Sequence, residues 1–198
     1  MVVAGLLLRN YASAGGIASS VLGTDPALLQ ELLRLPAGFD TWQQLGMALG
    51  LTGLVTGARI GLLLTWPEFR HATNVSNCQI LSPLGPLDIL VVAAVAGLSE
   101  EWLFRGAIIP ASFPDYRGVL LSAALFGLLH NSGGRNLAFA AWAGVVGAMY
   151  GGVFLLTHNI WVPVLAHTLA NVASAAAWKV GGLIPDDRPQ AQPSPDQP

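Results

Sequence analysis

Three ionisable residues lie close together inside a long apolar stretch: Glu100, Glu101 and Arg105. Each charge would cost about 2.5–3.5 kcal/mol at a lipid-exposed helix centre, so the three must face a protein interior or a water-filled cavity. Glu101 and Arg105 are four positions apart, and a helix would place them side by side as an ion pair. Glu100 projects about 100° further round the helix, so its carboxylate needs a partner on another helix. An unpaired, desolvated carboxylate is suited to act as a general base.

Other apolar segments offer candidate partners for this carboxylate. His130 ends one segment, in FGLLH, and His167 lies midway along another, in HTLAN, with Asn171 on the same helix face. A carboxylate and an imidazole can hold and deprotonate a water molecule, while a second imidazole and an amide can stabilise an oxyanion. The set therefore predicts water activation at an amide bond. His71 and His158 occur beside polar residues, and we expect both to lie in loops without a catalytic role.

Other chemistries fit the sequence less well. Zinc accepts histidine nitrogen and carboxylate oxygen, but no HExxH spacing occurs, so zinc is disfavoured and we expect no cofactor. Cys78 is the single cysteine, which excludes an internal disulfide and a cysteine-based metal site. No GxSxG nucleophile motif is present. Only Asp88 lies near an apolar span, whereas aspartyl intramembrane proteolysis needs two aspartates.

Three motifs occur in order on separate apolar segments: EEWLFRG at 100–106, FGLLH at 126–130 and HTLAN at 167–171. They match the patterns EExxxR, FxxxH and HxxxN and resemble the CPBP family of intramembrane proteases, which includes CAAX prenyl endopeptidases of the Ras-converting type. The resemblance covers roughly residues 84–180. It implies an all-helical membrane fold, commonly with more membrane helices than this sequence shows, and a glutamate-dependent rather than a metal-dependent reaction.

The resemblance also implies a role for each residue that matches a motif. Glu100 would be the base that activates water, assisted by His130, while His167 and Asn171 would form the oxyanion site. The residues expected to support the site are Glu101, Arg105 and Phe126.

The composition indicates which elements must position these residues. Only 10% of the 198 residues are charged and 53% are hydrophobic, whereas a soluble surface needs roughly 25–35% charged residues. Nine basic against eleven acidic residues leave no electrostatic footprint for nucleic acid. We therefore predict an all-α, polytopic transmembrane bundle with about five to six membrane-embedded helices. The five clear spans lie near residues 43–65 (with Arg59 in its second half), 86–113, 117–130, 136–156 and 160–178.

The chain divides into three regions on this reading. Residues 1–40 form an N-terminal arm that is partly amphipathic or membrane-associated, residues 41–183 form the transmembrane CPBP-like protease domain, and the proline-rich residues 184–198 form a disordered tail. Glycines recur every four residues in the first span (Gly53, Gly57, Gly61) and in the fourth (Gly147, Gly151). Such smooth helix faces allow close approach, and we expect them to pack within this bundle rather than between molecules.

The function predicted from the sequence is that of an intramembrane endopeptidase. It would hydrolyse a peptide bond of a membrane-associated protein or peptide, with the lipid bilayer as its environment and no nucleic acid as a partner. As a multi-pass protein it would lie in a bacterial cell membrane or a thylakoid-type membrane. The alternative is a non-proteolytic protein of the same fold that binds, protects or regulates a partner. A proton-coupled transporter would also explain buried charges, but no internal symmetry between halves is evident.

Overall fold

The computed structural model describes residues 1–14 and 25–181, and within these residues the chain is helical and contains no strand. A π-helical turn, Phe104–Ile108, interrupts the helical segment Pro86–Ser112. The predicted all-α fold class is confirmed. The helices are α1 (Val2–Ser13), α2 (Pro26–Leu33), α3 (Trp42–Thr65), α4 (Pro67–Leu81), α5 (Pro86–Leu103), α6 (Ile109–Ser112), α7 (Tyr116–Leu129), α8 (Leu137–Thr157) and α9 (Trp161–Val180).

By length and composition, two of the described helices could cross a membrane: α3 with 24 residues and α8 with 21. A third crossing is possible if α4 and the following helix, Pro86–Ser112, which meet at an angle of 112°, form one broken span. Helix α7 has 14 residues, and at about 1.5 Å per residue it is shorter than the roughly 30 Å hydrocarbon core. The predicted number of five to six membrane-embedded helices therefore stays a prediction.

The sequence dictates where several helices begin. The Thr41 hydroxyl accepts a hydrogen bond from the Gln44 backbone N–H at the start of α3, and the Asn136 side chain accepts one from Phe139 at the start of α8. Pro67 and Pro86 occupy the first positions of α4 and α5, where a missing N–H costs no helical hydrogen bond.

Helix α4 was not predicted from the sequence. Its polar composition gave no membrane-span signal, and the prediction that His71 lies in a loop is wrong because His71 is within α4. His158 lies at the end of α8 in a left-handed conformation, with its Nδ1 atom 2.8 Å from the Glu31 carboxylate. Helix α4 completes a core with α3, α8 and α9, centred on Phe69 and Tyr150.

Glycines set the close contacts between the helices that carry the motifs. A Cβ atom on Gly147 would lie 3.2 Å from the Cα atom of Ala123, and one on Gly151 would lie 2.8 Å from a Val119 methyl, so α8 packs tightly on α7. The packing predicted for this pair of glycines is confirmed. On α5, a Cβ atom on Gly97 would lie 3.2 Å from the Thr168 backbone nitrogen, so α5 and α9 are similarly close.

The glycines of α3 behave differently. A Cβ atom added to any of them would meet no described atom within 4 Å (Gly46, Gly50, Gly53, Gly57, Gly61). The prediction that this face packs within the bundle is therefore wrong. The face points away from the other described helices because α3 contacts α9 through other residues, including Val55 of the shared core.

The π-helical turn has a clear local cause. Pro110 lacks an N–H and its ring crowds the carbonyl four residues earlier, that of Gly106, so the regular hydrogen-bond ladder cannot continue. The Gly106 carbonyl instead accepts a hydrogen bond of 2.5 Å from Arg9 Nη1. A second guanidinium nitrogen of Arg9 donates to the Leu33 carbonyl, and the same group lies 5.0 Å from the Trp102 ring centroid. Helix α1 thus contacts the segment that carries the first motif.

The boundaries of the three predicted regions remain predictions. The described parts of the predicted N-terminal arm are α1, α2 and the turn that follows. The rest of the arm, residues 15–24, and the predicted disordered tail at 184–198 lie outside the described residues.

Candidate active site

The first motif forms a fully buried ion pair. Glu101 Oε1 accepts a hydrogen bond of 2.9 Å from Arg105 Nη1, and neither side chain is exposed. Arg105 Nη2 donates to the Gly147 carbonyl at 2.8 Å, which ties α8 to the pair. The guanidinium carbon lies 4.9 Å from the Phe126 ring centroid. The pairing predicted from the four-residue spacing is therefore present, and it lies where α5, α7 and α8 meet.

The Glu101 carboxylate also binds His167, a contact that the spacing of the motifs did not predict. His167 Nδ1 lies 2.8 Å from Glu101 Oε1. A carboxylate paired with arginine only accepts hydrogen bonds, so Nδ1 carries the proton and donates it. The Tyr150 ring stacks on the imidazole, with centroids 5.1 Å apart. Consequently His167 is held in one orientation, with Nε2 directed away from Glu101.

His130 is fixed in a similar way from the end of α7. Its Nδ1 atom lies 2.7 Å from the Phe126 carbonyl oxygen, which can only accept, so Nδ1 is the protonated nitrogen. The Phe126 ring lies 4.3 Å from the His130 ring and 6.2 Å from the His167 ring, between centroids. Phe126 therefore lies near both imidazoles, and each of them presents Nε2 toward the same region.

Glu100 faces both Nε2 atoms. Its Oε2 atom lies 4.0 Å from His130 Nε2 and 3.8 Å from His167 Nε2. Both distances exceed the usual range of a direct hydrogen bond, about 2.7–3.2 Å. The Glu100 side chain is 17% exposed, whereas that of Glu101 is fully buried. Adjacent glutamates thus have different surroundings: Glu101 is bound behind the site, and Glu100 lies at its open side.

Glu100, His130 and His167 line one cavity of about 220 Å³. Asn171 lies on its wall one helical turn after His167, as expected from their shared helix face. The structure therefore brings together Glu100, His130, His167 and Asn171 from α5, α7 and α9. The rest of the wall is largely apolar and is contributed by α3, α4, α5, α8 and α9.

Two further charged residues line the cavity that sequence reasoning did not assign to the site: Arg59 of α3 and Arg135, which precedes α8. The sequence signal that could have identified Arg59 is the one that identified Glu100, a charged residue within an apolar span.

Among the residues that the structure describes, no group of three or more His, Cys, Asp or Glu side chains is arranged to hold a metal ion. The absence of a metal cofactor stays a prediction.

Comparisons with known proteins give matches over the part of the chain that carries the three motifs. Residues 82–173 match the profile of the family described as type II CAAX prenyl endopeptidase Rce1-like. The "Putative membrane peptidase YdiL" of Bacillus subtilis (strain 168) is 30% identical over 105 residues, which cover 52% of this chain and 41% of that relative. The chain therefore spans less than half the length of the relative it matches. No solved structure gives a significant match.

Proposed function

We propose that this membrane protein, whose residues 82–173 match the Rce1-like CAAX prenyl endopeptidase family, is an intramembrane endopeptidase. It hydrolyses a peptide bond of a membrane-associated protein or peptide. The observation that carries the proposal is the position of the Glu100 carboxylate, which faces Nε2 of both His130 and His167 in one cavity. The intact matched segment, with every motif residue in place, favours turnover over binding alone.

The attacking group in this proposal is a water molecule bound between Glu100 and His130. Both Glu100 Oε2 and His130 Nε2 are hydrogen-bond acceptors, so one water molecule can donate a proton to each. Its lone pair is then directed away from both residues toward the substrate carbonyl carbon. Attack forms the new C–O bond while Glu100 takes the water proton as general base.

His167 and Asn171 stabilise the resulting oxyanion. His167 Nε2 can donate a hydrogen bond only when the ring is an imidazolium, because Nδ1 already carries the proton bound to Glu101. The Glu101 carboxylate stabilises that positive charge. The Asn171 amide supplies the second donor. Glu100 then passes its proton to the leaving nitrogen and the C–N bond breaks, which releases a carboxylic acid and an amine. The acid gives its remaining water-derived proton to the amine, so the final products are a carboxylate and an ammonium group.

No step in this scheme requires a metal ion. The substrate would reach the cavity from the bilayer, and the protein would be a multi-pass component of a bacterial cell membrane or a thylakoid-type membrane. CAAX-protein processing is a property of the named family; the substrate of this chain is a membrane-associated protein or peptide in our proposal.

Comparative membrane proteomics tests this function across all membrane proteins of the cell at once. Cells that express the wild-type protein should contain new peptide termini that are missing from cells expressing Glu100→Gln at the same level. Glu68→Gln is a matched control because Glu68 is exposed on α4 and does not line the cavity. Termini that persist with Glu100→Gln would reject the proposal. A phenotype that Glu100→Gln supports as well as wild type would favour the non-proteolytic alternative.

A further inference from the structure

The cavity contains more positive than negative charge. Among the described residues that line it, Glu100 is the only carboxylate, whereas Arg59 and Arg135 each contribute a guanidinium. Glu101 and Arg105 lie behind the wall and neutralise each other. The mechanism proposed above uses neither cavity arginine.

Arg59 has no protein counter-ion within the described part of the chain. No described carboxylate forms an ion pair with its guanidinium, and its Nε atom is buried without a hydrogen-bond partner among those residues. Its clearest contact is with the Phe139 ring, whose centroid is 5.9 Å from the guanidinium carbon. Burying a charge without a partner is costly, and α3 is one of the two described helices long and apolar enough to cross a membrane. A negatively charged ligand group would therefore stabilise the Arg59 guanidinium.

Arg135, which precedes α8, also lies near the Phe139 ring. Its guanidinium carbon is 5.0 Å from the Phe139 centroid, and its Nε atom donates a hydrogen bond of 3.0 Å to the Ser76 hydroxyl. Burial lowers the pKa of Arg135 from its ordinary value, and the negative charge of Glu100 acts in the opposite direction. Arg135 is thus held by Ser76 near both the general base and Arg59.

We propose that Arg59 and Arg135 form a subsite that binds a carboxylate of the substrate. Guanidinium groups bind carboxylates through paired, charge-assisted hydrogen bonds, and these are strongest in a site from which water is excluded. With Glu100 ionised and both imidazoles neutral, one bound carboxylate would bring the cavity to neutrality. The subsite lies in the cavity of the proposed reaction, so the inference rests on the proposed function. It names the substrate class as peptides with an anionic group near the cleaved bond.

Two sources could supply this carboxylate, the end of the peptide chain or an acidic side chain. The probes are internally quenched apolar peptides made in two matched pairs. One pair differs only in a free or an amidated carboxyl terminus, and the other has an amidated end with either Asp or Asn beside the cleaved bond. Cleavage is measured with the full-length protein in liposomes of zwitterionic lipid.

We expect the wild type to prefer the anionic member of one pair by about tenfold or more in kcat/KM, mainly through KM. In Arg59→Gln this preference should fall to near one, and Arg59→Lys should keep part of it because the charge remains. Arg135→Gln should act in the same direction. Arg117→Gln is the matched control, since Arg117 is an exposed arginine that binds Asp115 outside the cavity, and the preference should be unchanged.

Binding of the same peptides to the Glu100→Gln background, followed by fluorescence anisotropy, separates this inference from the proposed function. An anionic preference that depends on Arg59 supports the subsite even if no peptide is cleaved. Cleavage that depends on Glu100 but is equal for the charged and neutral members of both pairs would overturn the subsite and leave the hydrolase intact. A preference that survives Arg59→Gln and Arg135→Gln would overturn it as well.

Discussion

At the scale of single residues, the two adjacent glutamates have different surroundings because their partners differ. Glu101 binds both Arg105 and His167 in a fully buried position, whereas Glu100 faces the cavity and has no direct hydrogen-bond partner among the described residues. The sequence predicted this division from helix geometry. It did not predict that Glu101 also orients His167, because the register between α5 and α9 depends on side-chain packing that a single sequence does not reveal.

Removing the Glu101 carboxylate should destabilise the protein strongly. In Glu101→Ala, Arg105 would be left as a buried charge without its counter-ion, and such a loss costs about 3–5 kcal/mol. We expect a lower yield of folded protein and a lower thermal midpoint in detergent, measured by tryptophan fluorescence or scanning calorimetry. In Glu101→Ala with Arg105→Met, which removes both charges, much of the lost stability should return. A stable single variant that is inactive would instead assign Glu101 a purely catalytic role.

At the scale of elements, small residues determine how closely the motif-bearing helices approach. Gly97 brings α5 against Thr168 of α9, next to His167, and Gly147 accepts the Arg105 hydrogen bond from its place on α8. The sequence predicted the position of each of these helices to within a few residues. It placed the α3 glycines incorrectly, since a glycine repeat gives a smooth face without showing which helix packs against it.

Gly97→Ala should impair catalysis more than folding. Its Cβ atom would overlap the Thr168 hydroxyl, which must turn away, and would lie 3.2 Å from the Thr168 backbone nitrogen. Helix α9 must therefore shift by a few tenths of an ångström, which moves His167 relative to Glu101 and Glu100. A shift of about 1 Å in a catalytic group can cost about a hundredfold in rate. We expect kcat to fall at least roughly tenfold while the protein remains folded. Gly53→Ala, on the face where an added Cβ meets no described atom, is the control and should retain wild-type kcat.

The π-helical turn provides a second element-scale prediction. Because Pro110 has no N–H, the Gly106 carbonyl lacks its regular helical donor, and it accepts a hydrogen bond from Arg9. Arg9→Met should lower the free energy of unfolding by about 1–3 kcal/mol, the cost of an unsatisfied buried acceptor. Pro110→Ala restores an N–H that can reach this carbonyl, so Arg9→Met should cost less in that background. Equal costs in both backgrounds, from a double-mutant cycle by chemical denaturation, would contradict this account of the turn.

At the scale of the whole molecule, low charge content predicted a helical membrane protein, and the apolar surface of the described helices agrees with it. Exposed large apolar residues occur along α3, α5, α7 and α8 (including Leu54, Val95, Leu128 and Leu156). The sequence did not determine the number of crossings. A short apolar helix such as α7 gives the same apolar signal at any depth, and the polar composition of α4 does not show that it could form one broken span with α5. The Arg59–Arg135 pair was likewise missed, since Arg135 is brought to the cavity only by the fold.

Membrane integration can be measured directly. We expect the protein to stay in the membrane pellet after extraction with alkaline carbonate, because α3 and α8 are long and apolar enough to span the hydrocarbon core. A peripheral protein held by charge is the control and should be released. Recovery of this protein in the supernatant would contradict the assignment of an integral membrane protein.

The central claim, that Glu100 activates water to hydrolyse a peptide bond, is tested most directly with purified protein in liposomes. The measurement is product formation, by mass spectrometry, from a peptide spanning one of the new termini found in the cells, in buffer with a metal chelator. We predict that wild type and Glu68→Gln cleave the peptide and that Glu100→Gln, folded to the same extent, does so about a thousandfold more slowly, in line with the roughly 10²–10⁴-fold contribution of a general base. Cleavage by Glu100→Gln at the wild-type rate would contradict the account.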